Sequence, residues 1–231
     1  MAMQAVNWSA VQDKMHEKGY AGIPGFLTKE QCSELIGLYD QNTRFRKTIA
    51  MERYRFGQGE YKYFNYPLPS LIHELREAIY PHLAQIANLW MKALKVDISF
   101  PDTLQQLLEL CRQNNQSRPT PLILKYGRGG YNTLHQDLYG EVFFPMQAVL
   151  FLNEYGRDYT GGEFVLTEQR PRAQSKAIVL KPGPGDLLIF TTRFRPVKGT
   201  KGYYRVSMRH GVSEVEHGER YAVGIIFHDA A

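Results

Sequence analysis

Apolar residues recur at helical spacing through the first half of the chain. Leu71, Leu75, Ile79, Leu83, Ile86 and Trp90 form one face of a long helix opened by Ser70 after Pro69, with Pro81 placed to kink it. Leu35, Ile36, Leu38 and Tyr39 give a second helix its apolar face, behind a capping box of Thr28 and Gln31. Ser9 and Gln12 repeat that spacing ahead of a short helix ending near Lys18. Asp102 can cap a fourth helix running through Leu104, Leu107, Leu108 and Cys111. Tyr20 to Leu27 reads as a strand broken by Gly22, Pro24 and Gly25.

Beyond residues 114–121 the pattern shortens. Apolar or alternating runs sit between glycine and proline punctuation at Leu122–Tyr126, Met146–Asn153, Glu163–Leu166, Ala177–Leu180, Asp186–Phe190, Tyr204–His210 and Tyr221–Phe227. Short strands at this spacing indicate a sandwich or jelly roll. The expected fold is α+β, a double-stranded β-helix (jelly roll) with an N-terminal helical layer. One domain is expected over 1–231, with mainly helical support in 1–118 and the jelly-roll core in 119–231.

With 231 residues, 43% of them hydrophobic, the chain can bury a full core. No run of 18 apolar residues exists, so no membrane-spanning helix is expected. The polar stretch Met1 to Tyr20 lacks the apolar segment of a secretory signal. Cys32 and Cys111 are too few for a disulfide framework and form no CxxC pair for zinc. Two buried thiols in a reducing, cytoplasmic setting are expected.

Charge adds a second signal. Between Arg170 and Arg209 ten basic residues face one acidic residue, Asp186. Between Arg44 and Lys62 six basic residues face two acidic ones. The whole chain carries only +5, so the remainder is net acidic. Two basic segments on an acidic body point to an anionic partner at one place.

His135-Gln136-Asp137 is the first chemical constellation. On a strand, residues two apart share a face, so the imidazole and the carboxylate can reach one ion. A second imidazole would complete a facial triad of the kind that holds non-haem Fe(II) with open positions. His210, His217 and His228 are the later candidates. His217 reads as a turn residue, His228 stands near the chain end, and His210 ends a strand that turns back towards Arg220. Arg220 has small same-face neighbours, Ala222 and Gly224, which leave a narrow channel with one guanidinium in it. Such a cation suits a dicarboxylate whose far end chelates a metal.

Several motifs occur in order around these residues. Lys125-Tyr126-Gly127-Arg128-Gly129-Gly130-Tyr131 precedes His135-x-Asp137, and Met146–Asn153 follows. Gly161-Gly162-Glu163-Phe164, Gly185-Asp186-Leu187-Leu188-Ile189-Phe190, and His210-Gly211-Val212 with Arg220 complete the series. Over residues 120 to 229 the chain resembles the 2-oxoglutarate- and Fe(II)-dependent dioxygenase superfamily, in its prolyl-hydroxylase-like branch. The resemblance implies His135, Asp137 and His210 as iron ligands and Arg220 as the partner of the 2-oxoglutarate C5 carboxylate. It implies a cosubstrate role for Tyr126, O2 as co-reactant, and it admits ascorbate as a reductant. The helical N-terminal entry from Gly19-Tyr20 to Gln31 is similar to that branch as well. Two departures stand out. Phe151 occupies the place of a second tyrosine, and the segment between Phe190 and His210 is longer, basic and aromatic.

The implied chemistry is oxidation of a substrate C–H bond, by hydroxylation or oxidative dealkylation, with release of succinate and CO2. The basic, aromatic segments 44–66 and 193–209 interleave cations with rings, a pattern that can track phosphates and stack on bases. Alkylated nucleic acid is therefore the expected substrate. A protein or prolyl-type peptide hydroxylase stands as the alternative, a free small molecule as a third, and a non-catalytic β-sandwich binding module as the alternative of another class. Monomer and dimer are equally compatible with this length.

Overall fold

The computed structural model describes residues 6–137 and 140–231, so the start of the polar stretch at Met1 lies outside the described residues. Four α-helices and fifteen strands alternate along it. The helices are α1 (Trp8–Lys18), α2 (Lys29–Gly37), α3 (Ser70–Ala93) and α4 (Leu104–Gln113). The strands of the first half are β1 (Tyr20–Ile23), β2 (Phe45–Ala50), β3 (Gly57–Gln58) and β4 (Glu60–Phe64). The second half contributes β5 (Leu122–Tyr126), β6 (Tyr131–His135), β7 (Met146–Phe151), β8 (Tyr159–Gly161), β9 (Phe164–Gln169) and β10 (Ser175–Leu180). It continues with β11 (Leu187–Thr191), β12 (Phe194–Gly199), β13 (Gly202–Val212), β14 (Val215–Gly218) and β15 (Arg220–Ile225).

Local chemistry sets the helix ends. The Thr28–Gln31 capping box is formed, with reciprocal bonds of 3.3 and 3.0 Å. The short first helix is capped by Asn7, whose Oδ1 accepts from Ala10 N at 3.0 Å, and not by Ser9, which lies inside it. The fourth helix is capped by Thr103 with Gln106, not by Asp102. A threonine hydroxyl one residue nearer the helix reaches the free N–H that the aspartate would have to reach from further back. The α3 helix runs unbroken past Pro81 and buries Leu75, Ile79, Leu83, Ile86 and Trp90.

The strands form an α+β double-stranded β-helix. The seven-stranded sheet has the order β1-β11-β7-β15-β5-β4-β2, and the smaller sheet has β10-β9-β13-β6-β3 with β12 also on β13. Every named pair in these two sheets is antiparallel. Alternation along the strands divides two layers. Ala148, Leu150, Leu187, Ile189, Val223 and Ile225 pack with α3 in the main core. Their neighbours Val149, Phe151, Leu188, Phe190 and Ala222 turn inward onto Phe164 and Leu166 of the smaller sheet. Both faces of the large sheet are thus buried, which is why its strands read as unbroken apolar runs. Each fully buried leucine or phenylalanine there contributes roughly 1.5–3 kcal/mol.

The N-terminal half is less helical than its periodicity implies. β2 and β4 extend the large sheet, and β3 extends the smaller one. The strand begun at Tyr20 ends at Ile23, where Pro24 removes a donor. No helix among the described residues is long and apolar enough to cross a membrane.

Candidate active site

Strands β6 and β13 bring the two histidines together. His135 stands directly opposite His210 in the ladder, with ring centroids 4.2 Å apart. His210 lies inside β13, two residues before its end, rather than at the terminus of a strand. The register shifts next to this pair: Val212 faces Asn132, so the single residue Gly211 opposes both Thr133 and Leu134. A Cβ on Gly211 would lie 2.6 Å from Asn132 O, so the close approach at the bulge needs glycine. The extra residue turns Asn132 and His135 into the same cavity although they are three apart.

Asp137 lies two residues past the end of β6, not on the strand. Its position comes from the residue between the ligand candidates. Gln136 Nε2 donates to Arg193 O and Met208 O, both at 2.8 Å, fastening the loop to β13 and to the residue before β12. One donor atom from each of His135, Asp137 and His210 lies within 4.8 Å of the others. Asp137 sits 3.5 Å from His135 Nε2 and 3.4 Å from His210 Nε2 through its two oxygens. His217 is in β14 and His228 is buried past the end of β15, and neither belongs to this group.

The protonation states suit a metal. Burial pushes the Asp137 carboxyl up, but the His210 hydrogen bond, the charges of His210 and His135, and the Gln147 bond outweigh it. The group is held well below the usual carboxylate range. Burial, then His210, lowers the imidazole of His135. His135 Nδ1 lies 2.7 Å from Thr133 O, which fixes the proton on that nitrogen and leaves Nε2 free to ligate. The His210 ring is wedged against Phe190, with centroids 4.7 Å apart, and Phe164, at 6.1 Å. Gln147 was not apparent from residue type alone. It donates to Asp137 Oδ2 at 2.8 Å, and the signal was a polar residue in the middle of an apolar run.

The same cavity, of about 350 Å³, reaches from this cluster to Arg220. Leu124, Val149, Ala222 and Gly224 form walls between them. Among the described residues three arginines are buried, and two have carboxylate partners, Arg76 with Asp229 and Arg195 with Glu168, each at 2.7 Å. Arg220 has none among the described residues, and its Nε is buried without a hydrogen-bond partner. Its guanidinium carbon lies 5.5 Å from the Tyr126 ring and 5.4 Å from the Phe151 ring. Tyr159, not anticipated from the sequence, supplies a hydroxyl neighbour where Phe151 offers none. The double glycine makes room for this: a Cβ on Gly162 (φ +62°) would lie 3.0 Å from Arg220 Cδ. Tyr126 is buried, its hydroxyl pushed up to about 12 by burial, and Asn132 Nδ2 lies 3.4 Å from its oxygen.

The donor set and the cavity fit both implied groups. Two imidazoles and one carboxylate on one side leave coordination positions open, as non-haem Fe(II) requires. A buried guanidinium lacking an anion needs one to offset its desolvation, and a carboxylate of a bound dicarboxylate provides it. Fe(II), 2-oxoglutarate and O2 are the reactants for which this donor set and cavity are built.

The basic residues of the two segments fall into covered and exposed groups. Lys62 is buried, bonded to Tyr39 O at 3.0 Å, and lies 4.1 Å from the Tyr39 ring centroid. Arg46 lies over Tyr63 and donates to Pro119 O at 2.8 Å. Arg195 is committed to Glu168. Arg53, Arg55, Lys198, Lys201, Arg205 and Arg209 remain exposed.

Comparison with known proteins gives the family and the fold. Residues 59–230 match the Oxygenase-NA family, described as an oxygenase catalysing oxidative methylation of damaged DNA. An uncharacterised protein of Mycobacterium tuberculosis (strain CDC 1551 / Oshkosh) is 48% identical over 228 residues, covering 99% of this chain and 93% of that protein. Among solved structures, a Pseudomonas putida prolyl-4-hydroxylase aligns with a TM-score of 0.53 at 16% identity, covering 97% of this chain and 99% of that one. A Burkholderia pseudomallei oxidoreductase of the 2OG-Fe(II) oxygenase family aligns with a TM-score of 0.54 at 13% identity, covering 98% and 93%. The last two likenesses are of fold. The chain belongs to the Oxygenase-NA family, an oxygenase with the double-stranded β-helix of the 2OG-Fe(II) enzymes built around a His-Asp-His donor set.

Proposed function

We propose that this oxygenase uses Fe(II) and 2-oxoglutarate to remove alkyl groups oxidatively from damaged nucleic-acid bases. The observation that carries the reading is the meeting, in one cavity, of the His135–Asp137–His210 cluster with the unpaired buried Arg220. The family description, which names damaged DNA, supports the substrate class. His135, Asp137 and His210 are the metal ligands. Iron held there supplies oxygen activation coupled to conversion of 2-oxoglutarate into succinate and CO2. The protein does the rest. Arg220 pairs with the distal carboxylate of 2-oxoglutarate and fixes its direction down the channel, with the Tyr126 ring beside the pair. Leu124, Val149 and Ala222 keep water from the reacting end. Gln147 holds one Asp137 oxygen so that the other faces the metal. Hydroxylation of an N-methyl carbon leaves a hemiaminal whose C–N bond breaks, releasing formaldehyde and the restored base.

The test is succinate formation by anaerobically Fe(II)-loaded protein when oxygen is admitted. Three arms are compared: no substrate, alkylated single-stranded DNA, and a proline-containing peptide mixture. Stimulation and formaldehyde release with the alkylated strand are expected. Stimulation by peptide alone would make the protein a peptide hydroxylase. No succinate from folded, iron-loaded protein would leave a binding module.

A further inference from the structure

We infer that the turn Arg53–Phe56 is a base-stacking clamp at the cavity mouth, which makes the substrate an unpaired strand rather than an intact duplex. The inference rests on the nucleic-acid reading above and adds the element that grips the strand. Four consecutive residues, Arg53, Tyr54, Arg55 and Phe56, are exposed. Tyr54 and Phe56 are 51% and 46% exposed, yet their rings are stacked, with centroids 5.5 Å apart and planes within 18°. The pair lies outside the three buried apolar clusters. Arg55 adopts the left-handed backbone (φ 59°), uncommon for a residue with a side chain, and closes the turn through Phe56 N bonded to Met51 O at 3.1 Å.

The turn is tied to the site. Phe56 O accepts from both the backbone N and the Oγ of Thr133, at 2.9 Å each, two residues from His135. Phe56 itself lines the cavity that holds the donor set. Arg53 and Arg55 have no carboxylate partner among the described residues, and the neighbouring Glu52 is engaged with Gly59 N at 3.2 Å. Two free cations beside an exposed pair of parallel rings match a phosphate backbone carrying a base with an open π-face. Bases inside a duplex have both faces covered, so only an unpaired or extruded nucleotide can extend this stack.

The experiment is fluorescence anisotropy of a dye-labelled alkylated oligonucleotide, single-stranded and in duplex, titrated with iron-free protein. Thermal melting checks that each variant is folded. Wild type is expected to bind the single strand more tightly than the duplex. Tyr54→Ala should weaken single-strand binding about ten-fold, whereas Tyr54→Phe retains it. Joint replacement Arg53→Gln with Arg55→Asn, which tolerates the left-handed backbone, should lower the salt slope of log K by about 1.4. Unchanged affinity in Tyr54→Ala, or equal binding of duplex, overturns the clamp while turnover of alkylated strands leaves the proposed function standing. A wild type that neither binds alkylated strands nor is stimulated by them overturns the function, and the clamp with it.

Discussion

Replacing Arg220 by methionine should separate stability from function. The guanidinium is 2% exposed, its Nε has no partner, and no carboxylate among the described residues offsets its burial. In the protein alone this cation is a cost, because a desolvated charge without its anion is unfavourable. A methionine in its place should therefore be neutral or stabilising by up to about 3 kcal/mol, once about 1 kcal/mol is taken off for the lost Tyr159 contact. At about 2–4 °C per kcal/mol for a chain of this size, the melting temperature should hold or rise by up to roughly 12 °C. With 2-oxoglutarate the order reverses. Truncating one partner of a buried charge pair costs about 2–5 kcal/mol, roughly thirty-fold to several thousand-fold in affinity. Wild type at 100 times its dissociation constant gains about 2.7 kcal/mol, while the variant at the same concentration gains at most about 0.9 kcal/mol. Melting curves of metal-loaded protein with and without 2-oxoglutarate read both effects. A variant that melts lower alone but keeps the full ligand shift would refute the reasoning: Arg220 would be a structural residue and the carboxylate would lie elsewhere.

Three further outcomes are expected. Gln147→Leu removes the bond to Asp137 Oδ2 and should lower iron affinity about 10- to 100-fold, measured by competition with a chelator, with little change in melting. His228 is neutral and buried, accepting from Phe144 N at 3.1 Å, and burial holds it down to about 4. The unfolded chain takes up this proton first as pH falls below about 6.5, so stability is complete above that pH and drops by roughly 3 kcal/mol on the way to pH 4. Denaturant midpoints should show a shallower acid slope in His228→Asn, which keeps an acceptor, and identical slopes would remove His228 as the cause. Arg195→Ala breaks the buried pair with Glu168 and should destabilise the protein by about 3–5 kcal/mol without altering the salt dependence of strand binding. A changed salt slope in that variant would return Arg195 to the ligand surface.

The ligand candidates were legible as chemically distinctive residues, His135 and Asp137 through their two-residue spacing and His210 through its place in a run whose strand character is plain. Leu122–Tyr126 has the boundaries that its apolar residues and following glycine indicate. β6 was hidden because its five residues are exposed or half-buried and lack a clean alternation, and the bulge opposite Gly211 breaks the period. β2 and β4 were hidden by their charges. Arg46 and Lys62 look solvated in sequence, but tyrosine rings and carbonyl oxygens from elsewhere in the chain cover them. Partners of that kind come from tertiary contacts and have no trace at short range. The isolation of Arg220 was illegible for the same reason, since the want of a carboxylate is a property of the whole surrounding shell.

The position of β15 has a consequence for how the chain is made. In the large sheet it lies between β7 and β5, yet it is the final strand in chain order. Until it emerges, the β1-β11-β7 half and the β5-β4-β2 half have no backbone bonds joining them, and each presents an unpaired edge. Synthesis from Phe151, the end of β7, to Ile225, the end of β15, takes on the order of ten seconds at about 5–20 residues per second. During that interval the nascent chain carries two open, apolar sheet edges, which are templates for wrong pairing. The strand that ends the wait also brings Arg220, so the cavity gains its cation in the same step that joins the sheet.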